Sequence, residues 1–410
     1  MKRSILTLII AVTSLTVAAQ PDGHDRYGVT THVYEFLPET DTPAPAGYVP
    51  IYIGHYGRHG SRTEGAIGDV YRYLLDIFAT ASGQHLLTAQ GDSIYAEVRR
   101  VDDAHRGMDG SLTQRGVAEH KELAQRIYNR YPTVFRNGSK FVRVETSTSP
   151  RCIVSMASFV SSLTAIQNDL QFSMETGEKT VEYIGRGDQK DLREKVSARC
   201  EEINDATIVD TMSILRTLFK DEKAARKVVG SVNEFQRQLF MCAREGLACG
   251  VKEDMFRYIP EDVCRKWWSH LIRTVYMRNC NSVEYGDYRM ENARQLVSVM
   301  LSHACQALES GEVAADLIFG HDFPLLGLAN WFGLSGVGDR LSWDDLPEKW
   351  ADPMNIAFAS NMQFVVYRKA GAPDIVKFVY NGVERSVAKL TPLSGPYYYW
   401  DDVIRQLSPT

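Results

Sequence analysis

The sequence predicts an α/β protein, a three-layer α/β/α domain around a central, mostly parallel sheet with a mainly helical cap inserted into it. Two short apolar runs, residues 51–53 and 317–319, each lead through glycine into a polar cluster, and a third, alternating run begins at Phe141. Each is followed by a segment of 3.6-residue periodicity, the succession of strand and helix that a layered sheet requires. Between residues 170 and 295 this succession gives way to a mostly helical pattern with charged stretches such as 219–227. The expected division is therefore 20–169 and 296–410 for a discontinuous sheet domain and 170–295 for the cap.

The chain opens with Met1, Lys2 and Arg3, then mainly apolar positions 5–17, then Ala18 and Ala19. That is the layout of a secretory signal peptide over residues 1–19, with Gln20 as first mature residue. The apolar run is shorter than the roughly 20 residues a span needs, no Cys follows the cleavage position, and no later segment is long and apolar enough. A soluble protein exported to the periplasm or medium, with no membrane span, is expected. Removal of residues 1–19 would leave 391 of 410 residues, enough for one large core or two domains sharing an interface. Hydrophobic and charged contents of 44% and 24% are those of a globular chain. Without Lys2 and Arg3, 44 basic face 51 acidic side chains, a formal charge of −7. Such a body attracts no nucleic acid and repels anions at a distance, so any anion specificity must come from a local basic cluster. The seven Cys are scattered without a C-x-x-C pair, against a zinc site or a small disulfide scaffold. Cys242 and Cys249 would lie about 10 Å apart on one continuous helix, too far to bridge, and the disulfide pattern stays open.

Taken in order, residues 20–48 are rich in Pro, Asp and Thr and are expected to form a connecting arm. Residues 49–62, V-P-I-Y-I-G-H-Y-G-R-H-G-S-R, combine a buried strand with a turn that presents Arg58, His59 and Arg62. A helix follows, with Val70, Tyr71, Leu74, Leu75 and Phe78 on one face. Polar, Gly-containing residues 98–110 are expected as a surface loop. Thr113 is a natural N-cap for a helix carrying Val117, Leu123, Ala124, Ile127 and Tyr128, which Pro132 ends. The strand from Phe141 runs into S-T-S-P-R-C, where Pro150 opens a helix striped with Ile153, Ala157, Val160 and Leu163. Arg151 falls in its first turn, where free N–H groups and the helix dipole favour an anion. Beyond the cap, the run ending at Gly320 delivers His321 and Asp322 to a helix starting at Phe323. Asn381-Gly382 between strand-like runs is a two-residue hairpin signal, and residues 397–407 close the chain as a helix.

Three strand ends thus present Arg58, His59 and Arg62; Arg151; and His321 and Asp322, and ligands of open α/β sheets bind outside such ends. An imidazole between two guanidinium groups is a poor general base but suits a nucleophile that attacks an anion. Forked guanidinium donors match phosphate oxygens. R-H-G alone recurs by chance. With R-H-G-S-R at 58–62, G-S-L-T-Q-R-G at 110–116, S-x-x-x-R-C around Arg151, H-D at 321–322, F-A-S-N-M-Q-F-V-V-Y-R at 358–368 and Y-N-G at 380–382, the chain resembles the histidine phosphatase superfamily. The resemblance is to its acid phosphatase and phytase branch, and most to the multiple inositol polyphosphate phosphatase group. It spans nearly the whole mature chain, with the motifs in the family's order.

The resemblance implies a large α/β domain with a smaller helical insertion and metal-free hydrolysis of small phosphomonoesters, without cofactor. Position by position, it implies His59 as the nucleophile that becomes phosphorylated, Arg58, Arg62, Arg151 and His321 as the clamp around the phosphoryl group, and Asp322 as proton donor. Inositol polyphosphates such as phytate are the expected substrates. The alternatives are a broad-specificity acid phosphatase for sugar and organic phosphates, a mutase-like phosphotransferase, and a phosphate-binding protein without turnover. Asp322 separates the last from an enzyme, although Asp also suits a plain N-cap there. Two positions depart from the family: Thr63-Glu64 stands where acid phosphatases continue x-Pro, and Asp322-Phe323 where the inositol phosphatase group commonly has Ala-Glu. His55 and His303 are expected to be structural, and His105, Arg106 and Lys140 to lie solvated. The oligomeric state is left open.

Overall fold

Apolar alternation with a period of two builds the sheet and gives it two buried faces. In the computed structural model, which describes residues 24–65, 71–184, 190–206, 211–251 and 254–409, the strands are β1 Val49–Arg58, β2 Phe141–Thr146, β3 Gln171–Thr176, β4 Val313–Gly320, β5 Asn361–Arg368, β6 Ile375–Tyr380, β7 Val383–Arg385 and β8 Tyr398–Tyr399. Their order is β3-β2-β4-β1-β5-β6-β7, with β8 on β6. The half from β3 to β1 is parallel and the half from β1 onward antiparallel. Leu317 and Phe319 of β4 enter one core, and Ile318 enters the other. The expected signal peptide and Val70 lie outside the described residues.

Helices α1 Arg72–Gly83, α2 Ala89–His105, α3 Gln114–Arg130, α4 Pro132–Arg136 and α5 Pro150–Ile166 connect the first strands. A helical series follows: α6 Glu178–Ile184, α7 Lys190–Ala206, α8 Thr211–Leu218, α9 Glu222–Val229, α10 Val232–Gly246, α11 Glu261–Asn279 and α12 Gly286–Ser310. Helices α13 Asp322–Phe332 and α14 Trp400–Leu407 complete the set. Thr113 caps α3 by accepting from the Gly116 amide, and Asn381 and Gly382 turn the β6–β7 hairpin at φ of 49° and 79°.

Several expectations change. Residues 171–176, expected as part of a mostly helical pattern, form an edge strand pairing in parallel with β2. Residues 98–105 are the end of α2, because Ile94, Val98, Val101 and His105 bury one helical face and that spacing outweighs the local charge. The buried stripe of α5 runs through Cys152, Met156, Phe159, Val160 and Leu163, and Ala157 faces outward. The segment before β1 is more than a connector. His24–Thr31 makes two short 3₁₀ pieces that meet at a kink at Val29, with Tyr27 and Val29 buried, and farther on Asp41 meets the fully buried Lys377 ammonium at 2.5 Å. All seven cysteines are free thiols. Among the described residues no helix is long and apolar enough to cross a membrane.

Candidate active site

Parallel pairing of β1 with β4 puts Arg58 opposite Gly320, so the two polar clusters emerge side by side at the carboxyl edge of the sheet. The His59 amide donates to Gly320 O at 2.9 Å, and the His59 and His321 rings lie 5.6 Å apart. β2 ends beside them, where Ser147 N donates to Phe319 O at 3.1 Å. The chain then turns into α5 with Arg151 in its first turn. The structure therefore gathers every residue singled out from the sequence: Arg58, His59, Arg62, Arg151, His321 and Asp322.

His59 is fully buried. Its Nδ1 lies 3.0 Å from Gly60 O, which fixes that nitrogen as the N–H donor and leaves Nε2 with the lone pair. Among the described residues Nε2 has no hydrogen-bond partner, and neither has the buried Arg62 Nε. Burial, followed by the charges of Arg58, Arg151 and Arg62, holds the imidazole well below the usual histidine range. The ring thus stays neutral in acid, with a free lone pair facing cationic neighbours.

Arg58 has tasks that spacing alone did not disclose. Its Nη1 donates to Ile356 O at 2.6 Å and its Nη2 to Thr30 O at 2.8 Å, and Nη2 lies 3.1 Å from Asp322 Oδ2. Asp322 Oδ1 accepts the Phe323 amide at 3.0 Å, while the N-cap position belongs to His321. Asp322 is thus held by an arginine and by its own helix start. Thr30 follows Val29, a β-branched residue at φ 52°. Such backbone costs about 1–3 kcal/mol, and the Arg58 bond helps to hold it.

Further residues escaped sequence reading because they act as supports. Ser155 Oγ accepts the Gly60 amide at 3.1 Å. Glu119 takes the Ser61 amide at 2.7 Å and the Ser61 hydroxyl at 2.6 Å. His321 Nε2 sits 3.1 Å from Ser147 Oγ and 3.3 Å from Ser149 Oγ. Tyr56 OH receives the His321 amide at 3.0 Å. The G-S-L-T-Q-R-G motif has a packing role: a Cβ on Gly60 would come within 2.6 Å of Gly116 O, and one on Gly116 within 2.4 Å of Ser61 O. The start of α3 therefore presses on the His59 loop, backbone on backbone. His105 is buried rather than solvated, with Nε2 3.1 Å from Glu64 O and Nδ1 3.0 Å from Asp109. Among the described residues, no group of three or more His, Cys, Asp or Glu is gathered to hold a metal ion.

The family model for the histidine phosphatase superfamily (branch 2) matches residues 58–381, opening on Arg58 and closing on Asn381. The chain belongs to that superfamily. It is accordingly a phosphoric monoester hydrolase of the histidine acid phosphatase kind. No curated protein matches it. Among solved structures, the fold of this histidine phosphatase is similar to the multiple inositol polyphosphate phosphatase of Bifidobacterium longum in complex with inositol hexasulfate, with a TM-score of 0.73 at 16% identity over 92% of this chain and 96% of that one. The phytase from D. castellii is similar at a TM-score of 0.66 and 14% identity, covering 97% and 89%. The Hafnia alvei phytase in complex with tartrate follows at 0.53 and 12%, covering 89% and 98%. At such identities these likenesses concern the fold.

Proposed function

We propose that the protein is an exported, metal-independent phosphomonoesterase that works through a phosphohistidine and favours inositol polyphosphates such as phytate. The observation that carries the mechanism is His59 itself: buried, neutral, tethered through Nδ1, with Nε2 unpartnered among Arg58, Arg62 and Arg151. In this reading the arginines and His321 hold the equatorial oxygens of the phosphoryl group, which neutralises charge and aligns an in-line attack. Nε2 forms a bond to phosphorus as the ester P–O bond breaks, and Asp322 gives its proton to the departing alkoxide. Water then attacks the phosphohistidine and yields a proton to Asp322, the P–N bond breaks, and phosphate leaves. Three guanidinium charges supply the neutralisation that a metal provides elsewhere.

The substrate preference is supported by two similar structures, one named as an inositol polyphosphate phosphatase and one as a phytase. Export is supported by the pattern of residues 1–19, and mature protein beginning at Gln20 is the expected result of N-terminal sequencing. The mainly helical insertion, residues 170–295, is proposed as a cap over the site. Purified enzyme in a chelator should release phosphate from para-nitrophenyl phosphate and phytate at acidic to neutral pH, and His59→Ala should not. Full activity in His59→Ala would sink the mechanism. Turnover of simple esters with none of phytate would remove only the substrate preference and leave a broad-specificity acid phosphatase.

A further inference from the structure

The last turn of α10 touches the segment that holds Arg58. Arg244, 5% exposed, has every guanidinium nitrogen engaged: Nε donates to Gly28 O and Nη2 to Thr30 Oγ1, both at 2.9 Å, and Nη1 reaches Met241 Sδ at 3.1 Å. Thr31 returns the contact, its hydroxyl lying 3.0 Å from Arg244 O and 3.0 Å from Gly28 O. Residues 28–31 are therefore bound to α10 through both a side chain and a backbone carbonyl. Thr30 O in turn accepts Arg58 Nη2 at 2.8 Å, and that same nitrogen lies 3.1 Å from Asp322 Oδ2. Two arginines from distant parts of the chain thus grip one residue, Arg58 by its carbonyl and Arg244 by its hydroxyl.

Thr30 needs that second grip. It follows Val29, whose φ of 52° is a conformation that a β-branched residue does not hold unaided. Gly28, before it, is packed so closely that a Cβ would meet His32 Cβ at 2.8 Å. The direction of the Thr30 carbonyl is accordingly set by what binds the segment, and a hydrogen bond weakens steeply as its angle closes. Arg58 is also anchored at Ile356 O, 2.6 Å from Nη1, and over the Phe358 ring, 4.7 Å from its guanidinium carbon. Nη2, the nitrogen beside Asp322, is the one that Thr30 holds. The segment is docked elsewhere too, since Phe358 N donates to His32 O at 2.8 Å and Val33 packs with Leu247, Ala248 and Phe358. Loss of the Arg244 contact would therefore shift Thr30 locally and leave the fold in place.

We infer that Arg244 is a positioning residue for the phosphate clamp: its fork fixes the kink at residues 28–30, so that the Thr30 carbonyl keeps Arg58 Nη2 in line with Asp322 and with the phosphoryl group. The inference rests on the clamp role proposed for Arg58. It makes α10 part of the anion site, acting through Arg58. Lysine in place of Arg244 keeps the charge but is a single point donor and cannot bridge Gly28 O and Thr30 Oγ1. Valine in place of Thr30 keeps the branched shape and removes the acceptor, with the carbonyl untouched.

The test measures affinity for inorganic phosphate by calorimetry, and kcat and KM for para-nitrophenyl phosphate. The proteins are wild type, Arg244→Lys, Thr30→Val, Arg58→Ala and the two double variants that join Arg58→Ala to each of the others, with circular dichroism and urea unfolding to establish that they are folded. Arg244→Lys and Thr30→Val should each bind phosphate roughly tenfold more weakly, as a misplaced clamp does. With Arg58 already removed, neither change should weaken binding further, because a residue that acts through Arg58 has nothing left to act on. A tie of purely structural value would lower stability and leave phosphate affinity at the wild-type level. One that disturbed the site at large would add its loss in both backgrounds. Either result would overturn the inference. Should Arg244→Lys fail to fold, Thr30→Val decides, since it breaks the same bond at its acceptor. Wild-type affinity in Arg58→Ala would overturn the clamp role of Arg58 and this inference with it, whereas a weakened Arg58→Ala beside an unaffected Arg244→Lys would overturn this inference alone.

Discussion

At the scale of single residues, the site separates groups that react from groups that hold. In the proposed mechanism His59 is the reacting group, and burial together with three arginines keeps it neutral in acid where an ordinary histidine would be protonated. Its protonation should therefore not shape the acidic side of the rate profile. The donor role proposed for Asp322 bears on bond cleavage, and the choice of leaving group tests it. Para-nitrophenolate departs without a proton, whereas an inositol alkoxide does not. Asp322→Asn should lower turnover of phytate by about 10²-fold or more, the usual weight of a general acid. With para-nitrophenyl phosphate the same variant should still give a burst of one product per site before a slow steady state, measured by rapid quench. Equal losses on both substrates, with no burst, would remove the donor role. Glu119 holds without reacting: Glu119→Ala leaves the buried Ser61 amide unpaired, which should cost about 1–3 kcal/mol in urea unfolding.

At the scale of elements, what sets the position of His59, the proposed nucleophile, is the junction of the loop after β1 with the start of α3. The Gly60–Gly116 approach leaves no space for a side chain on either side of the contact. Gly116→Ala should therefore cost about 1–3 kcal/mol and lower kcat by displacing His59. Gly83→Ala, at the end of α1 where a Cβ meets nothing within 4 Å, should be neutral or gain about 0.4–1 kcal/mol. A chemical melt of both variants against wild type checks this, and a stable, fully active Gly116→Ala would contradict it. The sequence located the 110–116 motif, but its function is visible only in the contact, because glycine against glycine leaves no hydrophobic signal to read.

Across the whole molecule, the site stands on a layer of neutral histidines. His55 and His120 are fully buried among Phe159 and Phe319, and burial drives both to about 3, with His120 adding to the shift of His55. The unfolded chain takes up these protons below about pH 6.5 and the folded chain does not. Their stabilising contribution is fully present above about pH 6.5 and is lost as pH falls toward 3. Each histidine contributes a slope of up to about 1.4 kcal/mol per pH unit in that window. His120→Gln should flatten the dependence of unfolding free energy on pH between 6.5 and 3 relative to wild type, measured by urea titration. Parallel curves would exclude His120 as a contributor.

By itself, the sequence determined the parts that depend on neighbours along the chain: strand and helix periods, the Thr113 cap, the Asn381-Gly382 hairpin, and the polar residues at three strand ends. Those signals repeat within a turn or a pleat, so they survive in one dimension. Where charge and periodicity conflicted, at residues 98–105, local polarity misled, since the apolar face of α2 is set by what packs on it. Only the tertiary structure decided that Arg58 grips Asp322 across more than 260 positions of chain, that Glu119 supports Ser61, and that Tyr27 and Val29, ahead of β1, are buried. Each of these pairings joins residues with no common period. Their energies come from burial and from charge at short range, which exist only once the chain has closed on itself.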